Sequence, residues 1–243
     1  MSGAELALRA QTLWDRIMFL VTRNVVIGFA RVYFRLTVMG TEKLPDGPFI
    51  LSPIHRSNLD SPLATAITRK RMRFMGKDSL WRPKATRRFL YAIGGFPVAR
   101  GSADRESMRT VMAMLANGEA VVMFPEGTRC SGPDVWPLFD GPAYVSCRTG
   151  LPIVPLGIGG SERAMRRGSK ILWPVKIAMI VGDPIPAPVL ERGKRAPRSA
   201  VKATTERLAE ELQVVFDRAQ AYVGRPNPPH HADRMAEAVA SGE

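Results

Sequence analysis

His55 and Asp60 stand five residues apart in "IHRSNLD" (54–60), and they are the first pair in this chain whose types could do proton chemistry. An aspartate that accepts a hydrogen bond from one imidazole nitrogen fixes the tautomer and leaves the other nitrogen free to take a proton. On a regular helix a five-residue offset turns the two side chains apart, so the pairing requires a loop or a first helical turn. The chain has only three histidines, and the other two, His230 and His231, are adjacent near its end. The spacing alone matches any lone histidine near an acid, so an incidental pair is the competing reading.

A base needs something to deprotonate. No G-x-S-x-G elbow and no P-loop occur, and "GIGGSE" (157–162) has Glu162 where a dinucleotide fingerprint needs its third glycine. The nucleophile is therefore expected to belong to the substrate. Two loops carry groups suited to holding an anion. "GGFPVARGS" (94–102) places Arg100 ahead of a helix, where a guanidinium and free helix N–H groups could share a phosphate. "FPEGTRCSG" (124–132) places Glu126, Thr128 and Arg129 in a turn. A single arginine is most simply a surface ion-pair partner; several on one crevice would be a binding site.

The elements that must position these residues alternate. Apolar runs at 48–52, 96–99, 120–124, 152–156 and 175–181 read as strands, with a further short one at "RFM" (73–75). Ser61-Pro62 offers an N-cap and a first-turn proline for a helix through about residue 70. Helical patterns follow at 84–93, 103–116, 142–149 and 198–222, the last with Leu208, Leu212, Val215 and Phe216 on one face. Alternation of this kind implies an α/β fold, a central largely parallel sheet flanked by helices. Loops at the carboxyl ends of parallel strands gather into one crevice, which would let His55, Arg100 and Arg129 converge.

The expected organisation is an N-terminal amphipathic helical segment (1–40), an α/β domain (41–223) and a disordered tail (224–243). The formal net charge of +13 implies an anionic partner. Residues 51–110 hold 13 lysines and arginines against four acids, and the segment 69–88 holds nine basic residues around one acid. Cys130 and Cys147 make neither a disulfide framework nor a zinc site, and no metal site is expected. A reducing compartment follows, and the N-terminus lacks the layout of a signal peptide.

"LWDRIMFLVTRNVVIGFARVYFRL" (13–36) is rich in apolar residues, but its arginines keep every run short of the ~20 residues of a membrane span. On an ideal helix Arg9, Arg16, Arg23, Arg31 and Arg35 fall within about a third of the circumference, largely opposite Trp14, Met18, Val21, Val25, Phe29 and Val32. Such a helix can lie in a membrane interface or pack on its own domain.

"HRSNLD", "GGFPVAR", "FPEGTR" and "LPIVPL", in this order, resemble the four motif blocks of the glycerolipid acyltransferases, the lysophosphatidic acid acyltransferase family. The likeness spans roughly residues 40–190 and includes "MGKDSL" and "VGDPIP". It implies that His55 is the general base, oriented by Asp60, that deprotonates a glycerol hydroxyl for attack on an acyl thioester without an acyl-enzyme. It implies that Arg100 and Arg129 bind the acceptor's phosphate with help from Lys77. Glu126 and Thr128 would hold the glycerol moiety or shape the turn, and Gly127 would allow a tight bend.

The implied co-substrates are acyl-CoA and lysophosphatidic acid, with phosphatidic acid as product and no further cofactor. The implied setting is peripheral or monotopic, on the cytoplasmic face of a membrane with anionic lipids, and nucleic acid is not an expected partner. Ile54 replaces a common asparagine and Cys130 a common serine; neither is a proposed catalytic group. The alternatives are a different acceptor, such as glycerol 3-phosphate or another lysolipid, and a non-enzymatic basic lipid- or nucleic-acid-binding module.

Overall fold

The computed structural model describes residues 12–82, 84–98, 105–189 and 196–229. Seven strands form one sheet: β1 (Thr37–Met39), β2 (Ile50–Pro53), β3 (Met72–Lys77), β4 (Gly95–Val98), β5 (Ala120–Val122), β6 (Ile153–Gly159) and β7 (Ala178–Val181). Their order is β1-β7-β6-β2-β5-β3-β4, and every neighbouring pair is parallel except β6 with β7. β1 and β7 consequently run against the other five strands.

The helices are α1 (Leu13–Tyr33), α2 (Asp60–Ala64), α3 (Lys84–Ala92), α4 (Arg105–Ala116), α5 (Gly141–Thr149), α6 (Ser161–Ala164) and α7 (Arg198–Tyr222). The expected helix after Ser61-Pro62 is shorter than its pattern, passing into a 3-10 turn at Thr65–Ile67. It starts at Asp60, and no side chain caps it. The tail beyond residue 229, together with Arg9 and His230, lies outside the described residues.

Apolar runs form the central strands because both faces of the sheet are covered. Along β2, β5 and β6 alternate residues divide between two cores. Leu51, Val122 and Val154 join Phe34, Leu63 and Phe216 on one face, while Ile50, Val121 and Ile153 join Phe96, Met114 and Leu115 on the other. α7 presses onto β6 at two glycines, where a Cβ on Gly157 would meet the carbonyl oxygen of Val215 and one on Gly159 that of Ala219.

The N-terminal helix differs from its expected form. Thr12 begins α1 with a capping box: Asp15 N donates to Thr12 Oγ1 at 3.2 Å, and Thr12 N donates to Asp15 Oδ2 at 2.9 Å. Arg23 faces the domain, its Nε donating to the carbonyls of Thr65 and Thr68 at 2.9 Å each. Phe19, Ile27 and Ala30 are buried beside it. Trp14, Ile17, Val21, Val25, Phe29 and Val32 are exposed, so the outward stripe is apolar and the arginines do not form a single outward face. β1 joins the sheet within the segment expected to be a separate unit over 1–40. Among the described residues no helix is long and apolar enough to cross a membrane.

Candidate active site

β2 and β5 are parallel neighbours, so the chain leaves both at the same edge of the sheet. His55 follows β2 by two residues and Phe124 follows β5 by two, and their rings meet with centroids 4.1 Å apart at 31°. The backbone binds the loops together as well, since Cys130 N donates to His55 O at 2.9 Å.

The imidazole is oriented from one side. His55 Nδ1 lies 3.0 Å from Asp60 Oδ2, and the backbone N–H groups of Arg56 and Ser57 donate to that same oxygen at 2.7 Å each. The two backbone N–H groups can only donate, so Oδ2 is turned toward all three contacts as an acceptor. The tautomer that matches it has the proton on Nδ1 and the lone pair on Nε2. Asp60 is fully buried while the His55 side chain is 17% exposed, so only the base reaches solvent. Asp60 Oδ1 has no hydrogen-bond partner among the described residues, a cost of the kind retained at functional sites.

A second buried carboxylate ties the two loops together. Glu126 accepts from His55 N at 3.0 Å and Trp136 N at 3.1 Å, and Arg56 Nη1 lies 2.8 Å from both of its oxygens. Arg56 Nη2 donates to Asp134 O at 2.9 Å, and the guanidinium lies over the Phe216 ring of α7 at 5.0 Å. Both members of the ion pair are nearly inaccessible, with side chains 1% and 0% exposed. Both carboxylate oxygens of Glu126 are thus engaged in holding the two loops together.

The sequence alone gives Arg56 no role, although it directly follows His55. The available signal was charge matching, since a buried arginine needs an acid and the neighbouring motif loop supplies Glu126.

The remaining residues are placed as follows. Gly127 has φ +65°, and a Cβ there would meet the Phe139 ring at 2.6 Å, so the bend demands glycine on both counts. Thr128 is exposed, its carbonyl accepting from Cys130 Sγ at 3.6 Å, and Arg129 is half-buried with no side-chain hydrogen bond or ion pair to another described residue. Arg129 adjoins Cys130 and so belongs to the segment pinned against His55. Cys130 is buried; that burial, then the Glu126 carboxylate, pushes its thiol above the ordinary range, against a pull from Arg56.

Lys77 ends β3, but its side chain and the whole of Arg100 lie outside the described residues. Ile54 is fully buried in the core and its N donates to Leu156 O at 3.0 Å, so it does not line the site. Ser61 and Pro62, directly after Asp60, open a largely apolar cavity of about 260 Å³ under α1, walled by Phe19, Val26, Phe74 and Trp81.

Residues 35–159 match the sequence model of the Acyltransferase family. The 1-acyl-sn-glycerol-3-phosphate acyltransferase of Bacillus subtilis (strain 168) is 31% identical over 150 residues, covering 61% of this chain and 72% of that protein. The Brassica napus 1-acyl-sn-glycerol-3-phosphate acyltransferase BAT2, chloroplastic, is 25% identical over 158 residues, covering 63% of this chain but 46% of its own length. The crystal structure of the 1-acyl-sn-glycerophosphate (LPA) acyltransferase PlsC from Thermotoga maritima superposes with a TM-score of 0.61 over 79% of both chains, at 24% identity, a likeness of fold. The matched residues include β1, β2, β5, β6 and the whole His55–Asp60–Glu126 assembly, and on that ground the chain belongs to the Acyltransferase family and is an acyltransferase.

Proposed function

We propose that this enzyme transfers a fatty acyl group from acyl-CoA to the free hydroxyl of 1-acylglycerol 3-phosphate, giving phosphatidic acid. The observation that carries the reading is the His55–Asp60 pair, whose Nε2 is the side left open for a substrate proton. Nε2 takes the hydroxyl proton as the oxygen attacks the thioester carbonyl. As the tetrahedral adduct collapses, the C–S bond breaks and the imidazolium returns the proton to the leaving thiolate. No acyl-enzyme forms. General-base help of this kind is worth roughly 10²- to 10⁴-fold, with positioning supplying more.

Arg129, half-buried and without a described partner, serves the acceptor's phosphate, with Arg100 and Lys77 as the further cations the family resemblance implies. Thr128 stands at the same turn for the glycerol moiety, whereas Glu126 shapes the loops. The apolar cavity beside Ser61 and Pro62 suits an acyl chain. The apolar stripe of α1 rests on a membrane surface, giving a peripheral protein on the cytoplasmic side where acyl-CoA is found.

The test is CoA release from acyl-CoA in the presence of 1-acylglycerol 3-phosphate. Wild type is expected to turn over and His55→Ala to lose nearly all of the rate. Full activity in His55→Ala would remove the mechanism, and a preference for glycerol 3-phosphate would change the acceptor.

A further inference from the structure

A second basic site lies at the opposite end of the sheet from His55. Phe49, just before β2, and Ala120, the first residue of β5, line a groove of about 620 Å³, whereas His55 and Phe124 follow the far ends of those strands. One wall of the groove is the start of α1. Leu13, Ile17 and Leu20 stand there 73%, 47% and 43% exposed, continuous with the helix's outward apolar stripe.

The other wall is charged. Arg16, Arg69, Lys70 and Arg71 line the groove against two carboxylates, Asp46 and Glu119. Glu119 is already committed, accepting from Arg71 Nη2 at 3.0 Å and Arg73 Nε at 2.8 Å, so it adds little negative field to the groove. Lys70 Nζ donates to the Asp46 carbonyl at 2.7 Å, which holds its ammonium at the rim. Arg16 and Arg69 are exposed and make no side-chain hydrogen bond or ion pair with another described residue. Arg23, outside the groove, is pushed below its ordinary range first by burial and then by Arg69 and Arg31.

We propose that this groove binds the phosphate headgroup of an anionic bilayer lipid, with Arg16 and Arg69 on the phosphate and Leu13, Ile17 and Leu20 against the lipid's acyl chains. A soluble anion would use the cations and leave the apolar wall in water. A lipid satisfies both walls at once, because phosphate and hydrocarbon adjoin in the same molecule. The inference rests on the reading that the enzyme works on a membrane. It is independent of the chemistry at His55, because none of His55, Asp60, Glu126 and Arg129 lines the groove; Phe19 alone also borders the apolar cavity beside Ser61 and Pro62.

The experiment is flotation of the full-length protein with phosphatidylglycerol or phosphatidylcholine vesicles at physiological salt. Arg16→Glu/Arg69→Glu is expected to weaken binding to phosphatidylglycerol vesicles roughly ten- to hundredfold, each basic residue near an anionic surface being worth about fivefold. Binding to phosphatidylcholine should change little. Both positions are exposed, and an acid in the first turn of α1 favours the helix. A control of the same charge change elsewhere, Arg207→Glu/Arg225→Glu on and after α7, should leave both affinities nearly as they are.

An equal loss in the control would mean diffuse attraction and overturn the site, as would wild-type binding by the groove variant. Release of wild type from vesicles by inorganic phosphate would make it a free-anion site instead. Vesicle binding needs no turnover, so a protein inactive in CoA release could still pass this test, and an active one could fail it.

Discussion

His55 Nδ1 and Asp60 Oδ2 are 3.0 Å apart, and the same oxygen holds the backbone of Arg56 and Ser57. The carboxylate therefore fixes both the ring and the turn that presents it. Asp60→Asn cannot serve all three contacts. An NH₂ facing Nδ1 moves the lone pair there, makes Nε2 a donor and strips the N–H groups of Arg56 and Ser57 of their acceptor. An amide oxygen kept in that place removes the negative charge beside the imidazolium. The rate of CoA release should fall roughly 10²- to 10⁴-fold with little change in KM for the acceptor. A variant retaining more than a tenth of the wild-type rate would show that the tautomer is not what matters.

Arg56 and Glu126 form a buried pair that neither partner can leave cheaply. Arg56→Met strands a carboxylate, and Glu126→Gln strands a guanidinium. Each is expected to cost about 3–5 kcal/mol in urea unfolding. The double variant should cost less than the sum, because no uncompensated charge remains. Additive losses would mean that the two groups do not act as a pair.

Gly127 combines a left-handed backbone with the Phe139 ring directly over it. Gly127→Ala should lose about 1–3 kcal/mol of stability. Adding Phe139→Ala should relieve the steric share and leave the backbone share. Thermal unfolding of the two variants separates them.

The Cys130 thiol is held above its ordinary range by burial and by Glu126, so at neutral pH it is protonated and a poor nucleophile. Iodoacetamide at pH 7 should leave activity intact, with labelling appearing only in alkaline buffer. The same shift gives a sign for stability: what Cys130 contributes is fully present below the unfolded thiol pKa and is lost as pH rises through the higher folded value. Cys130→Ser, which shares no role with the base, should remain active. Rapid inactivation at pH 7 would contradict this.

Local signals were legible in the sequence and long-range ones were not. The His55–Asp60 pair lies within one turn, and α7 is bounded as its pattern predicts because its stripe of Leu208, Leu212, Val215 and Phe216 repeats over many turns. β1 escaped notice because three half-buried edge residues make no apolar run of their own. β6 extends through Gly157 and Gly159, which read as loop residues until α7 is laid across them. The reversal of β7 against β6 leaves no composition signal. Arg56 needed its partner 70 positions away, a distance over which neither periodicity nor spacing carries information.

The glycines of β6 have a catalytic reach. At Gly157 and Gly159 helix and strand touch peptide to peptide, so α7 has no cushion of side chains in which to settle differently. Phe216 of α7 underlies Arg56, Arg56 grips Glu126, and Glu126 anchors the backbone N–H of His55. The base is thus surveyed from a datum on the far side of the core. A single added methyl at position 157 would meet the backbone of Val215 and Phe216, push α7 off the strand and carry that shift through Arg56 and Glu126 to the imidazole.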